Sequence, residues 1–160
     1  MKQYYRFCLT FLCSFLLVNF LYGQSYTFMT YNIRYDNPDD GLDNWNYRKQ
    51  DMVSFIESTD PVVFGIQEGL ASQVGYLNQK LEEFAYIGVG RDDGKQKGES
   101  CAVFDHPQQM RLLGSGTFGF SESPNNGSVG WVAALPRRWT SGGVGVEEGV
   151  GLWGGGSGLG

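Results

Sequence analysis

Cysteine and histidine are scarce in this 160-residue chain, which contains three cysteines and one histidine. Cys8 and Cys13 lie within the first 23 residues, so a chain cleaved after that segment keeps only Cys101. One cysteine cannot form an intrachain disulfide. Cys101 lies in the apolar run SCAVF, which predicts a buried small hydrophobe and no disulfide-linked partner. Stability must therefore come from a hydrophobic core.

Basic residues are also in the minority, with 12 lysines and arginines against 17 aspartates and glutamates. Loss of residues 1–23 would remove Lys2 and Arg6 and leave a net charge near −7. Binding to long nucleic acids without sequence preference depends on basic groups that displace counterions from phosphates. The charge balance therefore opposes that class of function.

The N-terminal residues have the layout of a secretory signal peptide. Lys2 and Arg6 precede an apolar stretch, residues 7–18, which is short for a membrane span. We predict a signal peptide over 1–23, export to the periplasm or the extracellular space, and no stable membrane insertion after cleavage. A retained anchor is the alternative, because Leu21 stands where cleavage prefers a small residue.

The order of apolar runs predicts a mixed α/β sheet, since two strand-helix pairs are followed by strands alone. Asn44 is the expected cap of the first helix and Ser72 of the second. The predicted elements are a strand at 26–32, a helix at 45–58, a strand at 62–67, a helix at 72–84, and strands at 85–90, 100–104 and 111–118.

Two polar residues follow the first two predicted strands. Asn32 lies at the end of the strand predicted in YTFMTYNI, and Glu68 follows the buried-type run VVFGIQ. A helix that connects two parallel strands brings their carboxyl ends to the same edge of the sheet, where ligands bind in open α/β folds. Glu68 could offer a carboxylate to a hard divalent cation and Asn32 an amide to a phosphate oxygen. The alternative for Glu68 is a solvated charge at the end of a strand.

The C-terminal residues differ in composition from the rest, since 10 of the 19 residues from Gly142 to Gly160 are glycine. Ordering glycine is entropically unfavourable, and the segment has few side chains to bury. We therefore expect a disordered tail over 140–160.

The motifs TYNIRYDN at 30–37 and GIQE at 65–68 resemble the endonuclease/exonuclease/phosphatase superfamily, the metal-dependent phosphoesterases with the DNase I fold. The likeness continues through GVGRDDGKQKGESCAVF, SGTFGFSESP and GWVAALPR, and it is closest to the exported bacterial branch. It covers only the N-terminal half of the family domain, over residues 24–139. The implied fold is a partial DNase I-like α/β sandwich, about one mixed sheet with two helices, whose second half is absent.

The resemblance implies that Glu68 binds the metal ion, Mg²⁺ or Mn²⁺, and that Asn32 is the active-site asparagine that holds the scissile phosphate. Glu99 matches the acid after the charged loop, which in relatives supports the catalytic histidine. A solvated charge beside Lys97 is the alternative for Glu99.

Three arginines match positions on the substrate side of the family site: Arg34, Arg91 and Arg137. A salt bridge to a nearby aspartate is the alternative for Arg34. The histidines of the family's second half have no counterpart in this sequence, because its one histidine, His106, lies in the turn-like DHPQQ and is expected to be solvated.

The implied function is hydrolysis of phosphodiester or phosphomonoester bonds in a nucleic acid, a phospholipid, or an inositol or sugar phosphate. We expect this chain alone to be inactive, because the second half of the domain is missing. A frameshift near codon 137 would explain both the missing half and the glycine-rich residues 140–160. A secreted binding module that keeps part of the fold without catalysis is the alternative function.

Overall fold

The computed structural model describes residues 3–4, 25–119 and 138–145, and the backbone of 151–157. The predicted signal peptide therefore lies outside the described residues except for residues 3–4. No helix in the described part of the chain has the length and apolarity needed to cross a membrane. The elements are β1 (Phe28–Asn32), a 3-10 helix (Pro38–Asp43), α1 (Trp45–Thr59), β2 (Val63–Gly69), α2 (Ala71–Lys80), β3 (Ala85–Ile87), β4 (Ser100–Asp105), β5 (Arg111–Gly119), β6 (Arg138–Gly145) and β7 (Gly151–Ser157).

The start of α1 agrees with the prediction from sequence, whereas the bounds of α2 do not. The side chain of Asn44 accepts a hydrogen bond from the Asn46 backbone N–H at 3.0 Å, as an N-cap does. Ser72 is not the cap of α2, because the helix already begins at Ala71 after Leu70. The Gln73 side chain accepts a hydrogen bond from the Leu70 backbone N–H at 3.0 Å, which supplies the capping interaction from inside the helix. The helix also ends at Lys80, four residues before the predicted end.

The first sheet has the strand order β1-β2-β4-β3. Strands β1 and β2 are parallel and are connected by α1, while β4 runs antiparallel to both of its neighbours. Asn32 pairs with Gln67 in the register of β1 and β2. The carboxyl ends of the two parallel strands therefore meet at one edge, as the sequence predicted.

One face of this sheet is covered by the two helices. The rings of Phe64 and Phe104 stack at the centre of the core, with centroids 4.6 Å apart. Both are fully buried, so they anchor the packing of the helices. The buried side chains of this cluster include Phe64, Ile66, Ala102 and Phe104 from the sheet and Met52, Ile56, Val74 and Leu77 from the helices.

The other face is covered by a second, antiparallel sheet with the order β5-β6-β7. Val144 of β6 packs with Val63 and Val103 of the first sheet in a separate buried cluster. A Cβ atom on Gly142 would lie only 3.1 Å from Ile87 Cδ1, so glycine allows β6 to approach the first sheet closely.

These strands differ from one expectation drawn from the sequence. Residues 138–145 and 151–157 form strands where a disordered tail was expected over 140–160. The physical reason is that an antiparallel ladder is made by backbone groups, which glycine supplies as well as any residue other than proline.

The one cysteine and the one histidine in the described part of the chain are both buried. Cys101 is buried as predicted, and its burial raises the pKa of the thiol to about 11. The prediction of a solvated His106 is wrong, because only 8% of this residue is exposed. Its backbone N–H donates to Val62 O at 2.9 Å and its ring packs edge-on against Phe84, so the β4–β5 turn folds back onto the core.

Candidate functional site

The structure brings Asn32 and Glu68 into direct contact. Asn32 Nδ2 donates a hydrogen bond to Glu68 Oε1 at 2.7 Å. The backbone holds this pair, since the Ile33 N–H donates to Gln67 O at 3.1 Å and extends the pairing of β1 and β2 to their ends. A carboxylate and an amide thus lie side by side at the edge where the two parallel strands end.

Glu68 and Arg34, the residue two positions after Asn32, both have backbone in the left-handed region. Glu68 has φ of 61° and Arg34 has φ of 53°. The register of β2 against β4 shifts between Ile66 and Gly69, which places Glu68 in a bulge of the ladder. Left-handed backbone at a residue other than glycine is strained, and such strain is concentrated at functional sites.

Arg34 is fixed by two kinds of contact next to the pair. Its backbone N–H donates to Asn32 Oδ1 at 2.9 Å. Its guanidinium donates two hydrogen bonds, each of 2.6 Å, to the two carboxylate oxygens of Asp40. The guanidinium holds the pKa of the Asp40 carboxyl below its usual range. The alternative of a salt bridge to a nearby aspartate is therefore what the structure shows for Arg34, whose side chain remains 52% exposed.

Sequence reasoning missed Gln73. This residue is fully buried, and its side chain bonds to the segments that follow Asn32 and Glu68. Its Oε1 accepts hydrogen bonds from the backbone N–H groups of Leu70 and Asp36, and its Nε2 donates to Arg34 O, all at 3.0 Å. The available signal was a glutamine at the third position of a helix, which is typical of a capping box.

Arg91 and Glu99 pair with each other at the base of the charged loop. Arg91 Nη1 donates to Glu99 Oε2 at 3.1 Å, and the Arg91 backbone N–H donates to Glu99 O at 2.8 Å. Arg138 Nε closes the loop with a hydrogen bond of 2.9 Å to Arg91 O. Within the described residues Glu99 has no hydrogen bond to Asn32 or Glu68, so the structure does not join it to the pair. Arg137 lies outside the described residues.

The donor set fits a cation that uses few protein ligands. Glu68 is half-buried, and Asn32 occupies only its Oε1, so the second carboxylate oxygen is available. Magnesium commonly takes one or two carboxylates and completes its octahedron with water and substrate phosphate. Among the described residues no group of three or more His, Cys, Asp or Glu side chains could hold a metal ion without such help.

A cavity of about 1170 Å³ along the described residues lies away from this pair. Residues of β3 and β5 line it, among them Tyr86 and Leu112, and neither Asn32 nor Glu68 is part of it. The candidate site is therefore an open sheet edge.

No protein-family model matches the sequence. Three solved structures from Bacteroides are similar in both fold and sequence. An endonuclease/exonuclease/phosphatase family protein from Bacteroides thetaiotaomicron is 34% identical with a TM-score of 0.76, and the match covers 81% of this chain and 47% of that protein. The endonuclease/exonuclease/phosphatase from Bacteroides vulgatus is 41% identical with a TM-score of 0.71, over 74% of this chain and 46% of that protein. A mannosyl-6-phosphatase from Bacteroides thetaiotaomicron is 35% identical with a TM-score of 0.75, over 81% of this chain and 49% of that protein. The chain thus spans about half the length of the structures it matches.

Proposed function

Because this chain belongs to the endonuclease/exonuclease/phosphatase superfamily, we propose that it is part of a phosphoesterase that requires a divalent metal ion, Mg²⁺ or Mn²⁺. The observation that carries the proposal is the hydrogen bond of 2.7 Å between Asn32 and Glu68 at the ends of two parallel strands. Hydrolysis of phosphate esters needs positive charge and hydrogen-bond donors at the phosphate oxygens. This edge offers a carboxylate for the cation and donors beside it.

Each residue of the site has a distinct part in this proposal. Glu68 would hold the metal ion, which supplies Lewis-acid stabilisation of charge on the phosphate. Asn32 uses one Nδ2 proton for Glu68, and its second proton is free to donate to a phosphate oxygen. Asp40 occupies Nε and Nη2 of Arg34, so that the remaining guanidinium protons can bind the same phosphate. Arg91, Arg137 and Glu99 stay candidates for the outer part of the site.

A sugar phosphate is the substrate class that we propose first. The mannosyl-6-phosphatase from Bacteroides thetaiotaomicron is 35% identical to this chain. The acidic charge balance argues against long nucleic acids. Phospholipids and inositol phosphates stay open as substrates, and the proposal includes export to the periplasm or the extracellular space.

We also propose that the chain as it stands is inactive. The described residues contain one histidine, His106, and it is buried on the helix side of the molecule, in contact with Phe84. The loss of a general acid or base lowers rates about 10²- to 10⁴-fold. Hydrolysis by the full chain should therefore not exceed that of its Glu68→Ala variant.

A hybrid enzyme tests the proposed function. The segment of the Bacteroides thetaiotaomicron mannosyl-6-phosphatase that aligns with residues 25–119 is replaced by this chain's residues, and hydrolysis of mannose 6-phosphate is measured with and without Mg²⁺. The hybrid should be active with Mg²⁺ and should lose at least about 10² in kcat on Glu68→Ala. Gln67→Ala, a change at the neighbouring residue of β2, is the matched control and should keep the activity. A folded hybrid whose activity is unaffected by Glu68→Ala would contradict the proposal.

One observation favours the alternative of a binding module without catalysis. Thr140 and Val144 of β6 are buried, so the residues that follow the family-like sequence are packed in the described structure. Limited proteolysis distinguishes the two functions. Protection of residues 139–157 together with an inactive hybrid would favour the binding module, whereas cleavage there with residues 25–119 intact would oppose it.

A further inference from the structure

We propose that Gln73 is a positioning residue that sets the orientation of the Asn32 carboxamide toward Glu68. The inference rests on the proposed function in one respect only, namely that the Asn32 and Glu68 pair is the site. Gln73 touches neither residue of the pair, so its action has to pass through the backbone between them.

The side chain of Gln73 makes three hydrogen bonds, all of them to backbone groups. Its exposed fraction is 0%, and a buried amide must satisfy its donors and acceptors. Both hydrogen bonds accepted by Oε1 come from backbone N–H groups, those of Leu70 and Asp36, and Nε2 donates to Arg34 O. An ionised glutamate of the same length lacks the donor, and methionine lacks the donor and has only a weak acceptor.

These partners belong to the two chain segments that leave the site. Arg34 and Asp36 follow β1, which carries Asn32, and Leu70 follows β2, which carries Glu68. Gln73 therefore links the segments that follow β1 and β2. Its hydrogen bond to Arg34 O spans 39 residues of sequence.

The connection from Gln73 to Asn32 runs through the Arg34 residue alone. Gln73 holds the carbonyl of Arg34, and the N–H of the same residue donates to Asn32 Oδ1 at 2.9 Å. With its oxygen directed at Arg34, the Asn32 carboxamide must direct its nitrogen at Glu68. The left-handed φ of 53° at Arg34 is strained and needs such external contacts to persist.

The test uses the ¹⁵N-labelled full chain and follows the side-chain amide signals of Asn32 by NMR. Gln73→Met removes all three hydrogen bonds at nearly constant length, and Gln73→Glu removes only the donor. Gln67→Met is the matched control. Gln67 lies next to Glu68 at the end of β2, but its Nε2 bonds to Thr30 Oγ1 and not to the backbone that Gln73 holds. Methyl signals of Val74 and Leu77 report whether the core is intact.

We expect Gln73→Met and Gln73→Glu at neutral pH to move the Asn32 signals toward those of a solvated amide, with the methyl signals unchanged. Acidification of Gln73→Glu should restore the wild-type positions measured at the same pH, because a protonated carboxyl group can donate to Arg34 O. Gln67→Met should leave the Asn32 signals in place. Recovery of the Asn32 signals on acidification of Gln73→Glu separates positioning from a loss of packing, because protonation would not repair lost packing.

Unchanged Asn32 signals in a folded Gln73→Met variant would overturn the inference. If that variant does not fold, unchanged signals in Gln73→Glu at a pH above the titration of the introduced carboxyl group would overturn it equally. A second arm adds Mg²⁺, for which we expect affinity to fall about 10-fold in Gln73→Met, as for other residues that orient a metal ligand. A wild-type chain that does not respond to Mg²⁺ would count against the proposed function, while the metal-free signals of Asn32 would still decide the role of Gln73.

Discussion

Replacing Glu68 with glycine and with alanine separates its backbone strain from its chemistry. Both changes remove the carboxylate and the hydrogen bond to Asn32. They differ only in the Cβ atom, which is the atom that makes left-handed backbone unfavourable. With φ of 61° at Glu68, the structure predicts that the glycine variant is the more stable of the two.

The magnitude follows from two opposing terms. A residue with a Cβ atom loses about 1 to 2 kcal/mol in the left-handed region. Glycine loses about 0.5 to 1 kcal/mol more backbone entropy than alanine on folding. The free energy of unfolding of Glu68→Gly should therefore exceed that of Glu68→Ala by about 0.8 kcal/mol, the difference between the middles of the two ranges.

Gln67 provides the control at the preceding position of the same strand, where the backbone φ is negative. There the strain term is absent, so Gln67→Gly should be less stable than Gln67→Ala by about 0.5 to 1 kcal/mol. Urea unfolding followed by tryptophan fluorescence measures all four variants. If Glu68→Gly were equal to or less stable than Glu68→Ala, the left-handed geometry of the site would be refuted.

Three further predictions concern stability and reactivity. Arg34 lowers the pKa of Asp40 in the folded chain, so the stabilisation is present above about pH 4 and is lost as the pH falls through the lowered value. The stability difference between wild type and Asp40→Asn should therefore shrink below about pH 4, and a difference that stays constant in acid would contradict the pairing. Phe64→Ala should lower the free energy of unfolding by about 3 to 5 kcal/mol in urea with an unchanged m value, because Phe64 is fully buried; a loss below about 1 kcal/mol would contradict its place in the core. Burial raises the pKa of Cys101 to about 11. A thiol reagent at about pH 8 should therefore react far more slowly with Cys101 in the native chain than with Cys101 in the unfolded chain. Equal rates at Cys101 would contradict that burial.

The sequence predicted those features that depend on local pattern and on chain connectivity. The strand ends at Asn32 and Glu68 follow from two apolar runs, and their proximity follows from the handed connection through one helix. The cap at Asn44 is equally local, because a single side chain satisfies a backbone N–H two residues away.

Features that depend on distant partners were not predictable in this way. The role of Gln73 depends on its hydrogen bonds to Arg34 and Asp36. The helical pattern of the sequence shows only a polar residue near a helix start. His106 is buried because the β4–β5 turn folds back onto Phe84 and the Val62 carbonyl, contacts that no local pattern encodes.

The glycine-rich strands β6 and β7 were not predicted from the sequence for a different reason. Composition measures the entropy lost by ordering glycine, but it does not measure the gain from an antiparallel ladder against an existing sheet. The close approach of Gly142 to Ile87 requires the absence of a side chain, so the composition that favours disorder in isolation also permits this packing.

The central claim, that Glu68 holds a cation beside Asn32 at the sheet edge, is tested most directly by paramagnetic broadening with Mn²⁺. The ¹⁵N-labelled full chain is titrated with Mn²⁺, and the Asn32 side-chain amide should broaden before the signals of other residues, with recovery when excess Mg²⁺ is added. Glu68→Gln should abolish this broadening, whereas Glu57→Gln, a change on exposed helix surface, should leave it intact. Broadening that begins elsewhere, or that persists at Asn32 in Glu68→Gln, would contradict the account.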